Sequence, residues 1–217
     1  MNTTPKRFIR IWLGKKPMPA IFEEWWVMFR NIHPDYEFIT IDDNNLYDLI
    51  DVPKNIQELI NIVSSYAGLS DIVRLLALYQ IGGIYVDTDI KPLQSFDVLI
   101  NDKPFLGKRS SKSFETAVIG SPKNHIAIKK TIEELPYWFK NNISKSASVQ
   151  TGPAFVSSVL FGRDDVTHLP IKTFYPYNGF GAPKRNEKID MFKDNDFPSE
   201  MLAAHFSNHR WGGKPKK

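Results

Sequence analysis

The chain has no cysteine, which excludes disulfides, thiolate zinc sites and a cysteine nucleophile. That absence suits a reducing cytoplasm. Long apolar runs are missing too: nothing approaches the ~20 residues of a spanning helix, and the N-terminus Met1-Asn2-Thr3-Thr4-Pro5-Lys6 lacks an apolar targeting segment. The expectation is a cytoplasmic protein, peripheral at most to the inner face of a membrane. Internal repeats and low-complexity stretches are absent as well.

Against these absences, hydrophobic residues at 42% and charged residues at 24% are ordinary globular values. A length of 217 residues suits one full-sized core, so a single domain over 1–217 is expected, with a basic tail at 214–217. The formal charge of +4 favours anionic ligands or a membrane surface. The tail lysines could touch phospholipid headgroups or a ligand phosphate, or simply fray. Nothing in the sequence points to nucleic acid.

Arg7 to Leu13 reads as a first strand, rich in β-branched and aromatic residues and closed by Gly14. Ile21, Phe22, Trp25, Trp26 and Phe29 fall at helical spacing, and Glu37 to Ile41 reads as a second strand. Helices are expected from Asp42 towards Pro53, over Ile56 to Tyr66 and over Ser70 to Gln80, with Gly82-Gly83 as the stop before a short strand, Ile84 to Val86. Strands follow near Pro104 to Gly107 and Glu115 to Ile119, then a helix from Asn124 to Lys140 that Pro136 distorts. This alternation predicts an α/β fold with a largely parallel sheet and helices on both faces.

The segment Leu69 to Asp89 carries most of the chemistry. Its helix is apolar nearly all round, so it must be buried. Yet Asp71 and Arg74 lie three apart on one face, where an uncompensated charge costs several kcal/mol. Two readings stand: an internal ion pair, or a pair of groups facing a cleft and holding ligand hydroxyls.

The strand after the glycines delivers Asp87-Thr88-Asp89 to the carboxyl end of a sheet, where ligands of open α/β folds bind. If the strand continues, Asp87 and Asp89 share a face and Thr88 points away. Two carboxylates on one side suit magnesium, manganese or calcium, with substrate phosphate completing the shell. A lone Asp-x-Asp is common in surface turns; the buried helix, glycine pair and apolar strand before it add the specificity.

The order Ser70-Asp71, Arg74, Leu78, Gly82-Gly83, Tyr85, Asp87, Asp89 resembles the DXD-containing sugar-binding region of glycosyltransferase family 32. That family includes yeast-type α-mannosyltransferases and bacterial capsule or lipopolysaccharide sugar transferases, and clostridial glucosylating toxins are related. Ile11-Trp12-Leu13-Gly14 is similar to its first-strand signature, Trp26, Pro34-Asp35-Tyr36 and Ile41-Asp42 fall in its order, and His205 with His209-Arg210-Trp211 resembles its C-terminal segment. Where family members often read Ser-x-Trp, this chain has Asn208-His209-Arg210-Trp211.

The resemblance implies a GT-A-like fold with a Rossmann-like, mostly parallel sheet. It implies that Trp12, beside Ile11, stacks a nucleobase, that Tyr85, Asp87, Thr88 and Trp211 line the donor pocket, and that Asp71 and Arg74 fix sugar hydroxyls. Asp87, Asp89 and His205 or His209 would hold Mn²⁺ or Mg²⁺ on the diphosphate. The implied reaction moves a hexose, with retention, from a UDP-hexose or GDP-mannose to a glycan or lipid-linked glycan in surface polysaccharide synthesis.

Two other readings remain. A haloacid-dehalogenase-like phosphatase also follows an apolar strand with Asp-x-Asp and often adds a later pair such as Asp164-Asp165, although Lys91-Pro92 after Ile90 breaks its pattern. A catalytically inactive nucleotide-sugar-binding module would keep the fold and need no metal. Gln150-Thr151-Gly152-Pro153 reads either as a plain helix start or as amides facing the sugar.

Overall fold

In the computed structural model the described residues are 2–175 and 197–206. In chain order they form β1 (Arg7–Trp12), α1 (Ala20–Ile32), β2 (Glu37–Asp42), α2 (Leu46–Leu49), α3 (Lys54–Ile62), α4 (Tyr66–Gln80), β3 (Gly83–Val86) and β4 (Ile90–Pro92). A 3₁₀ turn at Asp97–Leu99 precedes β5 (Phe105–Ser110), β6 (Ser113–Ser121), α5 (Ile126–Asn141), α6 (Ala147–Gln150), α7 (Pro153–Leu160), β7 (Thr167–Leu169), a second 3₁₀ turn at Ile171–Thr173 and β8 (Ala203–His205).

Six strands make the main sheet in the order β2-β1-β3-β6-β5-β7. β1 runs parallel to β2 and β3, β6 is antiparallel to both of its neighbours, and β5 is parallel to β7. Five strands therefore point one way and β6 alone is reversed: the expected α/β sheet, mostly parallel, with one strand turned against it. β4 and β8 pair separately as an antiparallel ribbon.

Alternation along the strands divides the core in two. Ile9 and Ile11 of β1 and Tyr85 of β3 face the cluster built with α4, α5 and α7 through Ile72, Leu76, Ile128 and Phe155. Phe8, Ile84 and Val86 face the opposite cluster, closed by Trp26 and Phe29 of α1. Helices cover both faces, as α/β layering requires.

Three local expectations change. The helix anticipated over Ile56 to Tyr66 ends at Ile62, and Tyr66 instead begins α4, because Ser65 caps the new helix by accepting the Gly68 N–H on its Oγ at 3.1 Å. α5 runs through Pro136 to Asn141, held by the buried Ile128, Leu135 and Phe139 on either side of the proline. β6 is longer than anticipated, Ser113–Ser121.

The glycine pair does what its position implies. Gly82 and Gly83 have φ of +72° and +119°, and a Cβ on Gly83 would sit 2.7 Å from the Arg7 carbonyl oxygen of the neighbouring strand. The chain thus leaves α4 and enters β3 within two residues.

Candidate active site

β3 ends at Val86, and Asp87 is held at the sheet edge by its N–H, which donates to the Ala117 carbonyl at 2.8 Å. The strand does not continue through the motif. Asp87-Thr88-Asp89 is a turn, with the Ile90 N–H donating to the Asp87 carbonyl at 3.3 Å before β4 begins. This corrects the anticipated alternation: Thr88 turns inward, 5% exposed, and the turn itself brings the two carboxylates together.

The third member arrives from far along the chain. β8 pairs with β4 so that His205 lies opposite Ile90, and its Nε2 is 3.3 Å from Asp89 Oδ1. One ligand atom each from Asp87, Asp89 and His205 lies within 4.8 Å of the others. Two carboxylate oxygens and an imidazole nitrogen at this spacing fit Mn²⁺ or Mg²⁺. Burial pushes the imidazole down, but Asp89, supported by Asp87, outweighs it and lifts His205 to about 9. At neutral pH it is an imidazolium paired with Asp89, and it must give up that proton to ligate a cation. His209, Asn208, Arg210 and Trp211, like the tail lysines, lie outside the described residues.

Behind the turn, Arg74 organises the carboxylates. Its Nη2 is 2.9 Å from Asp71 Oδ1, its Nη1 is 3.3 Å from Asp87 Oδ1, and the same Nη1 donates to the Thr116 carbonyl at 2.6 Å. The guanidinium also lies 4.4 Å over the Tyr85 ring. The ion pair between Asp71 and Arg74 is therefore present, and it extends to the Asp-Thr-Asp motif as a triad. Burial pushes Asp71 up to about 6 against the pull of Arg74 and Thr151. Asp87 is also raised by burial, again against Arg74.

Tyr85 is buried and donates its hydroxyl to Asp87 Oδ1 at 2.6 Å. It holds a carboxylate rather than opening onto a pocket. Ile11 is likewise buried in the core, so only its backbone is available to a ligand. Trp12 ends β1, which runs parallel to β3 with Ile9 opposite Tyr85, so it lies toward the same end of the sheet as the motif that follows β3. Its indole N–H donates to the Lys16 carbonyl at 2.7 Å, and the half-buried ring stands edge-on to Phe22. Ser70 Oγ and Thr88 Oγ1 are buried without a hydrogen-bond partner among the described residues, an arrangement that a bound hydroxyl or phosphate would satisfy.

The segment Gln150 to Pro153, read either as a helix start or as amides facing the sugar, contributes a side chain. Thr151 Oγ1 donates to Asp71 Oδ2 at 2.9 Å, so the loop before α7 reaches the site through a residue 80 positions away. Asp164 and Asp165 do not join it. They precede the outer strand β7, and Asp165 is taken by Arg163 at 2.8 Å through both oxygens. The phosphatase pattern therefore lacks its second carboxylate pair at Asp87.

Known proteins resemble parts of this chain. The glycosyltransferase sugar-binding region containing a DXD motif is matched over residues 22–106. Inositol phosphoceramide mannosyltransferase 3 of Schizosaccharomyces pombe is 27% identical over 133 residues, covering 59% of this chain and 37% of that protein. Mannosyl phosphorylinositol ceramide synthase CSH1 of Saccharomyces cerevisiae is 30% identical over 145 residues, covering 63% and 38%. The similarity thus spans well under half the length of these relatives. Among solved structures, the PaToxG glycosyltransferase superposes with a TM-score of 0.60 at 20% identity, covering 74% of this chain and 70% of that one. The UDP-bound glycosyltransferase domain of the YGT toxin does so at 0.56 and 12%, covering 77% and 80%. At these identities the two structures establish a common fold. Asp71, Arg74, Tyr85, Asp87 and Asp89 all lie inside residues 22–106, the segment of this chain that matches the glycosyltransferase sugar-binding region containing a DXD motif.

Proposed function

We propose that this protein is a metal-dependent hexosyltransferase that uses a nucleotide diphosphate sugar as donor. The observation that carries the reading is the convergence of Asp87, Asp89 and His205 within 4.8 Å at the carboxyl edge of the sheet. A divalent cation bound there would neutralise the negative charge that builds on the departing nucleotide diphosphate. Asp89 and His205 hold the cation side of the site, and Tyr85 and Arg74 fix Asp87 between that side and the sugar. Ser70 and Thr88 supply hydroxyls to ligand oxygens. Trp12, on the same edge, offers its ring to the nucleobase, and Trp211 would close the pocket.

The acceptor is proposed to be a glycolipid or lipid-linked glycan, a reading supported by the inositol phosphoceramide named in the yeast relatives. Among the described residues no helix is long and apolar enough to cross a membrane, so such an acceptor would be met at a bilayer surface. Retention of configuration, a role in surface polysaccharide synthesis, and a single domain over 1–217 with a phosphate- or headgroup-touching tail complete the proposal.

Metal-dependent hydrolysis of UDP-glucose, UDP-galactose, UDP-GlcNAc, UDP-GalNAc and GDP-mannose tests it. Release of nucleotide diphosphate from one of them, abolished by EDTA and restored by Mn²⁺, is the expected result. Metal-independent binding without turnover would instead identify an inactive sugar-nucleotide module.

A further inference from the structure

The ladder between β5 and β6 is interrupted beside the site. Leu106 pairs with Ile119 and Lys108 with Phe114, so a single β5 residue, Gly107, spans the stretch that β6 covers with Glu115, Thr116, Ala117 and Val118. Irregularities of this kind re-aim side chains next to active sites. Here the freed stretch of β6 is bound to the motif instead: the Ala117 carbonyl receives the Asp87 N–H and the Thr116 carbonyl receives Arg74. Gly107 has no room for a side chain, since a Cβ would fall 2.6 Å from the Tyr175 ring. The bulge thus fixes the residue next to Thr116, whose carbonyl holds Arg74.

That residue is Glu115. Among the described residues its Oε1 accepts only the N–H of its own neighbour Thr116, at 3.1 Å, and its Oε2 faces the exposed Arg109 Nε at 3.9 Å, too far for a hydrogen bond. Its side chain is 22% exposed, as is Asp87 at 23%, against 9% for Asp71 and 4% for Asp89. Asp71 has both oxygens engaged, by Arg74 and Thr151, and Asp87 gives its Oδ1 to Tyr85 and Arg74 while grouping with Asp89 and His205. Outside the carboxylates grouped with His205, Glu115 thus has open acceptor capacity among the described residues, and its charge bears on Asp71, Arg74 and His205.

Resting on the donor reading above, we propose that Glu115 accepts a ring hydroxyl of the transferred hexose and so helps to choose the sugar. Neutral hydroxyls bind a carboxylate well where water is partly excluded, and a site built to bond a given hydroxyl discriminates against sugars that place it elsewhere. Arg109 holds the empty carboxylate loosely and yields it to the ligand.

Calorimetric titration with Mn²⁺ present compares UDP-glucose with UDP and GDP-mannose with GDP, which isolates what the sugar adds to affinity. Glu115→Gln keeps an oxygen for the Thr116 N–H and removes the charge. It is expected to cut the sugar's contribution about tenfold or more while leaving bare-nucleotide affinity within about twofold. Glu115→Asp, with the same charge one methylene shorter, lowers the same contribution and guards against a folding defect in the first variant. An unchanged sugar contribution in both, or equal losses for nucleotide and nucleotide sugar, would overturn the assignment. A wild-type protein that binds neither nucleotide with Mn²⁺ would overturn the donor reading and this inference with it.

Discussion

Tyr85 donates its hydroxyl to Asp87 across two residues of the same chain segment, at 2.6 Å, so a core aromatic of β3 sets the direction of a carboxylate at the sheet edge. The ring is also the surface on which Arg74 rests. Tyr85→Phe keeps that ring and removes only the hydroxyl. Hydrogen bonds to charged groups contribute about 1.5–3 kcal/mol, so Mn²⁺ affinity, measured by calorimetry, is expected to fall roughly tenfold to a hundredfold with the thermal midpoint nearly unchanged. Wild-type affinity in this variant would remove Tyr85 from the metal side of the site.

Asp89→Asn exchanges a charged oxygen for an amide at the same volume. Metal-dependent release of nucleotide diphosphate should drop by about 10²-fold or more, on the scale of losing a main stabiliser of developing charge. Circular dichroism should show the fold intact. Turnover within a few-fold of wild type would dismiss the motif's second carboxylate as a ligand.

Asp71 gives a pH-dependent signature. Its value of about 6 lies above the ordinary 3.8, with burial as the main cause, so the folded state favours the protonated acid. Stability from this group is present at low pH and is lost as pH rises from about 4 through 6. Asp71→Asn removes the titration, so its unfolding free energy from urea titration should gain on wild type between pH 4 and pH 7, by up to ~3 kcal/mol at ~1.4 kcal/mol per pK unit. Donor turnover should fall in the same variant. A constant stability difference across that range would contradict the ionisation assigned to Asp71.

His33 gives the opposite sign. Its Nδ1 is 2.9 Å from the Phe29 carbonyl, which fixes that nitrogen as the donor, and its Nε2 accepts the Phe96 N–H at 2.9 Å. A proton on Nε2 would meet that N–H head-on, and burial holds the imidazole below its usual 6.5. Its contribution is therefore complete above about pH 6.5 and lost as pH falls below it. Wild type should lose stability between pH 6.5 and 5 more steeply than His33→Gln, by at most ~1.4 kcal/mol per pH unit. Parallel slopes would show that His33 does not titrate with unfolding.

The strand-helix alternation was readable because apolar periodicity and glycine stops are local signals. So was the motif, since the helix, glycine pair and strand before it are contiguous. The turn at Asp87-Thr88-Asp89 was not, because it depends on β4 leaving the main sheet to pair with β8. Reversal of β6 was equally hidden: strand direction follows from connection geometry, which composition does not encode. Thr151 stands only within a segment that reads as a helix start or as amides facing the sugar, and Glu115 carries no local mark. Each acquires its place from a partner distant in sequence, Asp71 for one and the interrupted β5 ladder for the other.

The β4–β8 ribbon bears on how the protein is made. Asp87 and Asp89 leave the ribosome far ahead of His205, and the ribbon that unites them also ties Leu93 and Gln94 to the Leu202 carbonyl. Contacts of such long separation form late, because the intervening chain must first be closed into a loop. A nascent chain with its α/β layers already assembled would still present only the two carboxylates. Cation capture at the proposed site would thus arrive with β8, making metal uptake a reporter of β4–β8 pairing rather than of early folding.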